Sequence, residues 1–220
     1  MADLPEIIPI FPLPNFVLFP GLSVPLHIFE PRYREMVADA SQSHGIIGMT
    51  MLKGDWERDY YANPDIYEVG CAGRISTLAR LPDGRFNLML DGFSEFRLAR
   101  EIRERSYRLG RVEWTPSQPE RLELDPTAVE TLRDLLVRFL GDVGGAVWRN
   151  VVEERGLRGA NLINFLCFHI DIPGIEKQTL LEAGEARANT LMDVLTFKLE
   201  ERKLGPGSAS GGGGRSGPVQ

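Results

Sequence analysis

The chain holds three histidines, two cysteines and four lysines from which chemistry could be assembled. His169 lies two residues before Asp171, a spacing at which a carboxylate can orient an imidazole as a general base. No nucleophile is marked beside the pair. The plainer expectation is a helix-terminal histidine favoured by the helix dipole. His27 alternates within an extended segment, and His44 precedes Gly45 in a loop. Ser23 sits in Gly21-Leu22-Ser23-Val24-Pro25, the nearest approach to a nucleophile elbow. An elbow needs a strand–turn–helix setting and a small residue where Pro25 stands, so Ser23 reads as a turn serine. Cys71 and Cys167 are too few for a zinc cluster and read as two reduced core thiols. Lys53, Lys177, Lys198 and Lys203 fall in loops or on exposed helix faces, poor settings for a Ser–Lys dyad. No Gly-Lys pair occurs, which excludes a P-loop, and there is no His-Glu-x-x-His. The residues thus point to no catalytic set, no cofactor and no metal.

Charge narrows the partners. Asp and Glu number 31 against 25 Lys and Arg, a net charge of −6. The deficit is shared by both sides of residue 120, so neither part offers the basic footprint that a nucleic-acid backbone or an anionic membrane surface needs. Apolar runs are cut by proline or charge well short of the ~18 residues a spanning helix requires. The acidic N-terminus lacks the positive region of a signal peptide, and the default compartment is the cytoplasm.

The elements that must position any site divide into two textures. Residues 1–119 are β-rich. Prolines 5, 9, 12, 14, 20 and 25 punctuate short β-prone pieces, Ile7–Phe11, Phe16–Phe19 and Val24–Ile28. Proline lacks the donor for a central ladder, so these pieces are expected to be short, bent or at sheet edges. Pro31 opens a helix whose apolar face is Tyr33, Met36, Val37 and Ala40. Gly45–Leu52 reads as a strand. Arg74–Leu81 and Arg85–Asp91 form a hairpin about Pro82-Asp83-Gly84, in which Pro fixes φ and Gly takes the left-handed position. Phe93–Leu98 and Ser106–Thr115 are read as two further strands.

Residues 120–204 are helical. Asp125-Pro126 caps a helix carrying Val129, Leu132, Leu136 and Phe139 and ending at Gly141. A loose stretch from Gly144 to Gly159 follows. Asn161–Ile170, Glu176–Glu182 and Glu185–Lys203 are then read as helices. Residues 205–220 are rich in Gly and Ser and read as a flexible tail.

Three stretches carry a resemblance. The first is Phe11-Pro12-Leu13-Pro14, Val17-Leu18-Phe19-Pro20-Gly21 and Pro25-Leu26-His27-Ile28-Phe29-Glu30-Pro31-Arg32-Tyr33-Arg34. The second is Gly73-Arg74-Ile75, then Arg80-Leu81-Pro82-Asp83-Gly84-Arg85-Phe86-Asn87-Leu88, Gly92-Phe93 and Phe96-Arg97. The third is Glu176-Lys177-Gln178 with Leu180-Leu181-Glu182. Over about residues 7–204 the chain resembles the N-terminal, substrate-binding domain of the Lon (La) ATP-dependent protease. The resemblance implies an α+β fold, a PUA-like β pseudo-barrel followed by an α-helical bundle. It also implies a free-standing homologue of that domain, without the ATPase motor or the serine–lysine protease domain.

The implied function is a non-catalytic polypeptide-binding module. Its partners would be unfolded or apolar segments of client proteins, or a protease, with no nucleic acid and no membrane. Two stretches could form the binding surface. Trp56, Tyr60 and Tyr61 lie among charges in a loop between strands, a composition suited to contact surfaces; the competing reading folds Trp56 and Tyr60 back to plug the barrel end. Glu30, Arg32 and Arg34 flank a helix start and could rim a peptide groove, with Phe19 as an apolar contact. Phe11, Phe19, Phe29 and Tyr33 otherwise read as core. An RNA-binding PUA-like domain, or a hydrolase with an unrecognised site at His27 or His169, are the alternatives.

Overall fold

The structure, a computed structural model, describes residues 4–59, 64–115 and 124–204. Six strands form one sheet: β1 (Ile7–Leu13), β2 (Ser23–Ile28), β3 (Ile46–Met51), β4 (Val69–Arg80), β5 (Phe86–Ile102) and β6 (Arg108–Trp114), in the order β2-β5-β4-β3-β1-β6. β1 runs parallel to β3, and the other pairings are antiparallel. β5 divides one edge between two neighbours: β2 takes Phe86 to Asp91, and β6 takes Phe96 to Ile102. The sheet therefore curls back on itself without becoming a closed barrel. With its helices it is the α+β architecture expected.

The Pro82-Asp83-Gly84 turn joins β4 to β5 as predicted, and Leu81 N donates to Arg85 O at 2.8 Å. Phe93–Leu98 is not a separate strand but the continuation of the 17-residue β5. Register shifts at Ala72/Gly73 and Ile75/Thr77 let β4 bend with β5 instead of ending it. β1 is an interior strand despite Pro9 and Pro12. It pairs with β6 over Ile7–Ile10 and with β3 over Ile10–Leu13, so each proline lies where only one edge of the strand is occupied. Phe16–Phe19 forms no strand. This segment is pinned instead by its ends: Gly21 N donates to Gly92 O and Gly92 N to Leu22 O, both at 2.8 Å. A Cβ on Gly92 would lie 2.6 Å from Phe19 O, so only glycine permits that approach.

The predicted helix α1 (Pro31–Ser41) buries Tyr33, Met36, Val37 and Ala40, the four residues of its apolar face. They join a core with Phe11, Leu18, Val24, Ile28, Phe86, Leu88 and Leu90. A second cluster gathers Ile8, Ile10, Leu52, Ile66, Phe96 and Val112. A short helix, α2 (Trp56–Asp59), interrupts the loop that follows β3.

The remaining helices are α3 (Pro126–Leu140), α4 (Gly144–Trp148), α5 (Gly159–His169), α6 (Gly174–Glu182) and α7 (Arg187–Leu204). Asp125 caps α3 as expected, its side chain accepting from Ala128 N at 2.9 Å. The stretch read as loose is ordered into α4 and a π-helical turn at Arg149–Glu154. Trp148 is buried there. Glycine pairs lowered the helical expectation by backbone entropy, but Gly144 packs so tightly that a Cβ would lie 2.6 Å from Val137 Cα.

The described residues separate into two compact units, one drawn from those up to residue 115 together with 157–188, the other from 124–156 together with 189–204. This grouping differs from a linear division at residues 119 and 120, because α5 and α6 go with the sheet. In the second unit Leu132, Leu136 and Phe139 of α3, Trp148, and Leu191, Leu195 and Leu199 of α7 are buried. Arg202 donates to Phe139 O at 2.6 Å and lies 4.3 Å above the Phe139 ring, satisfying a carbonyl of the last turn of α3.

Candidate functional site

The polar stretches of the sequence serve two purposes, and the structure separates them. Arg187 is 1% exposed. Its guanidinium donates to Leu180 O and Leu181 O at 2.9 Å and to Asn164 Oδ1 at 2.6 Å, and it pairs with Glu95 on β5. Asn164 in turn donates to Pro20 O at 3.0 Å. The Arg187 Cζ lies 5.4 Å from the centroid of the Phe19 ring. Gln178 donates to Val69 O at the start of β4 and to Glu182 Oε1. Lys177 donates to Phe168 O at 2.6 Å, closing the last turn of α5. Burial lowers the Lys177 pKa. Glu176–Glu182 is thus a clamp holding α5 and α6 to the sheet. Phe19 is 0% exposed beneath Arg187 and is removed from the surface candidates.

Glu30 and Arg32 are half-buried and pair with each other. They form an ion pair of 3.0 Å at the start of α1, and Arg32 lies 4.6 Å above the Tyr33 ring. Trp56 packs, half-buried, against the cluster of Ile8, Ile10 and Phe96, which agrees with its folding back onto the sheet. Tyr60 and Tyr61 lie outside the described residues.

Arg34 is different. It lies in an open cleft of about 360 Å³ lined by Pro31, Arg34, Glu35 and Ala38 of α1 and by Arg80, Gly84 and Phe86 of the hairpin. Gly84 has φ +79°, and a Cβ there would fall 2.1 Å from Arg34 Nη2, so the turn glycine makes room for the guanidinium. Arg80 stands opposite Phe86 in the β4–β5 register, and Leu78 opposite Leu88, on the same face of β4. Glu35 accepts from Ser106 Oγ at 2.6 Å. Next to it Tyr107 donates to Asp39 Oδ2 at 2.7 Å, and burial together with Asp39 raises the phenol pKa. Asp83, at the tip, is held below the usual carboxylate range chiefly by its hydrogen bond from Arg85, with Arg34 adding to the effect.

Phe29 follows the last residue of β2 and stands two residues before Pro31 at the cleft. It was read as core but is 61% exposed. Its ring stacks on His27 at 6.3 Å. His27 Nδ1 lies 2.6 Å from Asn87 Oδ1, and Nε2 lies 3.4 Å from Arg85 Nη1. The amide oxygen accepts and the guanidinium donates, an arrangement that fits a ring proton on Nδ1. No carboxylate or nucleophile touches it among the described residues. His169 packs between Phe165 and Phe168, with ring centroids at 4.2 and 5.0 Å. Cys71 and Cys167 are free and buried. Burial pushes the Cys167 thiol up to about 12 and raises Cys71 further, which disfavours the nucleophilic thiolate. Among the described residues no group of three or more His, Cys, Asp or Glu could hold a metal ion. None of the described helices is long and apolar enough to cross a membrane.

Reading residue by residue missed Arg80 and Phe86 as parts of the cleft, and Phe29 and Leu78 as exposed apolar residues. The available signals were the period-two pattern of β4 and the fixed register of the Pro-Asp-Gly hairpin. Nothing local marked α1 as their neighbour.

The model of the ATP-dependent protease La (LON) substrate-binding domain matches residues 7–195. The chain belongs to this LON family. Curated relatives include the Lon protease of Anaeromyxobacter dehalogenans, 29% identical over 92% of this chain and 24% of its own length. Lon protease 2 of Myxococcus xanthus is 26% identical over 92% of this chain and 25% of its own length. The chain thus spans about a quarter of the length of these curated relatives. The N-terminal domain protein of Xanthomonas campestris Lon superposes with a TM-score of 0.63 at 24% identity, covering 87% of this chain and 98% of that one. The N-terminal domain of Mycobacterium avium complex Lon gives 0.64 at 13% identity, covering 89% and 99%. These two show the fold shared by the LON substrate-binding domain and this chain.

Proposed function

We propose that this LON substrate-binding domain is a non-catalytic module that holds unfolded or apolar segments of client polypeptides. The observation that carries the reading is Phe29. The ring follows β2 directly, is 61% exposed and is stacked on His27. It stands two residues before Pro31, where the cleft begins. A ring fixed by stacking gives contact area at small entropic cost. The module would act in the cytoplasm on client proteins, or as a partner to a protease.

The test is equilibrium binding of the full chain to a permanently unfolded protein, reduced and carboxymethylated lactalbumin, followed by fluorescence anisotropy. Binding at tens of micromolar or tighter is expected. Phe29→Ala should weaken it about fivefold or more, in line with loss of one aromatic anchor. No binding at these concentrations would end the proposal.

A further inference from the structure

We infer that the cleft between α1 and the β4–β5 hairpin recognises an acidic side chain in the bound polypeptide, one flanked by apolar residues. This rests on the polypeptide-binding reading above and adds the class of sequence selected.

Two observations converge. The first is charge. Arg34 and Arg80 both line the cleft, and among the described residues neither side chain has a hydrogen bond or ion pair of its own. The neighbouring acids are already engaged. Asp83 is bound by Arg85, and Glu35 accepts from Ser106. Arg34 feels the field of Asp83 but is not bonded to it. Two guanidinium groups facing one open volume, with nearby carboxylates held by other donors, are complementary to an added carboxylate.

The second is the apolar surface around those charges. Pro31, Ala38 and Phe86 line the same cleft. Leu78 lies on the same face of β4 as Arg80, two residues before it, and stays 40% exposed. An occupant that places a carboxylate between the arginines therefore sets its neighbouring side chains on Leu78 and on the cleft wall. The cleft is open at the surface, so the chain can pass through it. That geometry suits an internal Asp or Glu better than a chain end.

Gly84 leaves open the space beside the Arg34 guanidinium. Its turn lets Arg34 lie against the hairpin tip without a Cβ in the way. The Pro-Asp-Gly turn thus shapes a surface as well as reversing the chain.

The experiment measures anisotropy of labelled, end-blocked peptides Gly-Ser-Leu-Val-Glu-Val-Leu-Ser-Gly, with Gln or Lys in place of the central Glu, on the full chain. The Glu peptide should bind about tenfold tighter than the Gln peptide, the effect of one charge-assisted contact. Added salt should narrow that gap. Arg80→Gln and Arg34→Gln should each erase it, while circular dichroism and the urea midpoint stay unchanged for the exposed Arg80 variant. Arg80→Glu should shift preference to the Lys peptide. Equal binding of Glu and Gln peptides by the unaltered chain would overturn the subsite and leave polypeptide binding standing. Failure of all peptides together with unfolded lactalbumin would overturn both readings.

Discussion

Arg187 and Glu95 form an ion pair of 2.5 Å in the interior, with side-chain exposures of 1% and 14%. The two residues come from the first turn of α7 and the middle of β5, 92 positions apart. Desolvating a guanidinium is costly, and the cost is offset here by the carboxylate, two main-chain carbonyls and Asn164.

Removing one partner should therefore be severe. Arg187→Leu is expected to cost about 3–5 kcal/mol, because it strands the Glu95 carboxylate and three further acceptors. Adding Glu95→Gln should recover only part of this, since the Leu180 and Leu181 carbonyls stay without their donor. Urea unfolding of the singles and the double variant measures the coupling. Full recovery in the double variant would show that Glu95 alone makes Arg187 necessary.

Gly84→Ala should cost about 1 kcal/mol from its positive φ. The clash with Arg34 involves the end of a flexible side chain and should add little. The same loss is therefore expected in an Arg34→Ala background, checked by thermal or urea midpoints. A loss that disappears in that background would assign the cost to the side chain instead.

Much of the fold was legible because local rules and tertiary packing agree. Pro31 and the Tyr33–Ala40 stripe mark α1, Pro-Asp-Gly marks the hairpin, and Asp125-Pro126 marks α3. The failures came where distant packing overruled local preference. Pro9 and Pro12 look like edge markers, yet β1 is interior because each of its halves uses a different edge. Gly144 and Gly145 look like a loop, yet close packing against Val137 keeps α4 helical. For the candidate site, Arg34 was identified but its partners were not. The register that sets Arg80 beside Phe86 is local to the hairpin, whereas the approach of α1 is set by the core beneath it. Phe19 and Phe29 show the same limit: the residue types and strand-like surroundings are alike, but one is buried and the other exposed.

Stability should fall as pH rises above about 9. The Cys167 thiol is raised from 9.0 to about 12 by burial, and Cys71 shifts the same way. Above pH 9 the unfolded chain releases thiol protons that the folded chain retains. The unfolding free energy then drops by up to about 1.4 kcal/mol per pH unit for each thiol. Below the unfolded value the contribution is constant. Cys167→Ala should flatten the slope between pH 9 and 10.5, at some cost in core packing at every pH. In the native state both thiols should resist Ellman's reagent and react in urea. Rapid native labelling would contradict their burial.

Trp56 and Phe29 are expected to divide stability from binding. Trp56 packs half-buried against the core cluster that includes Ile8, Ile10 and Phe96, so Trp56→Ala should lower stability by about 1–2 kcal/mol, part of the cost of a fully buried aromatic. It should leave the affinity of the folded chain for unfolded lactalbumin within about twofold. Phe29 is largely exposed and stacks on His27, so Phe29→Ala should move the urea midpoint by less than about 0.5 kcal/mol equivalent while weakening binding. Measuring both quantities on both variants separates packing from contact. If Trp56→Ala weakened binding at full folding and Phe29→Ala did not, the binding surface would belong to the α2 loop rather than to the strand end beside the cleft.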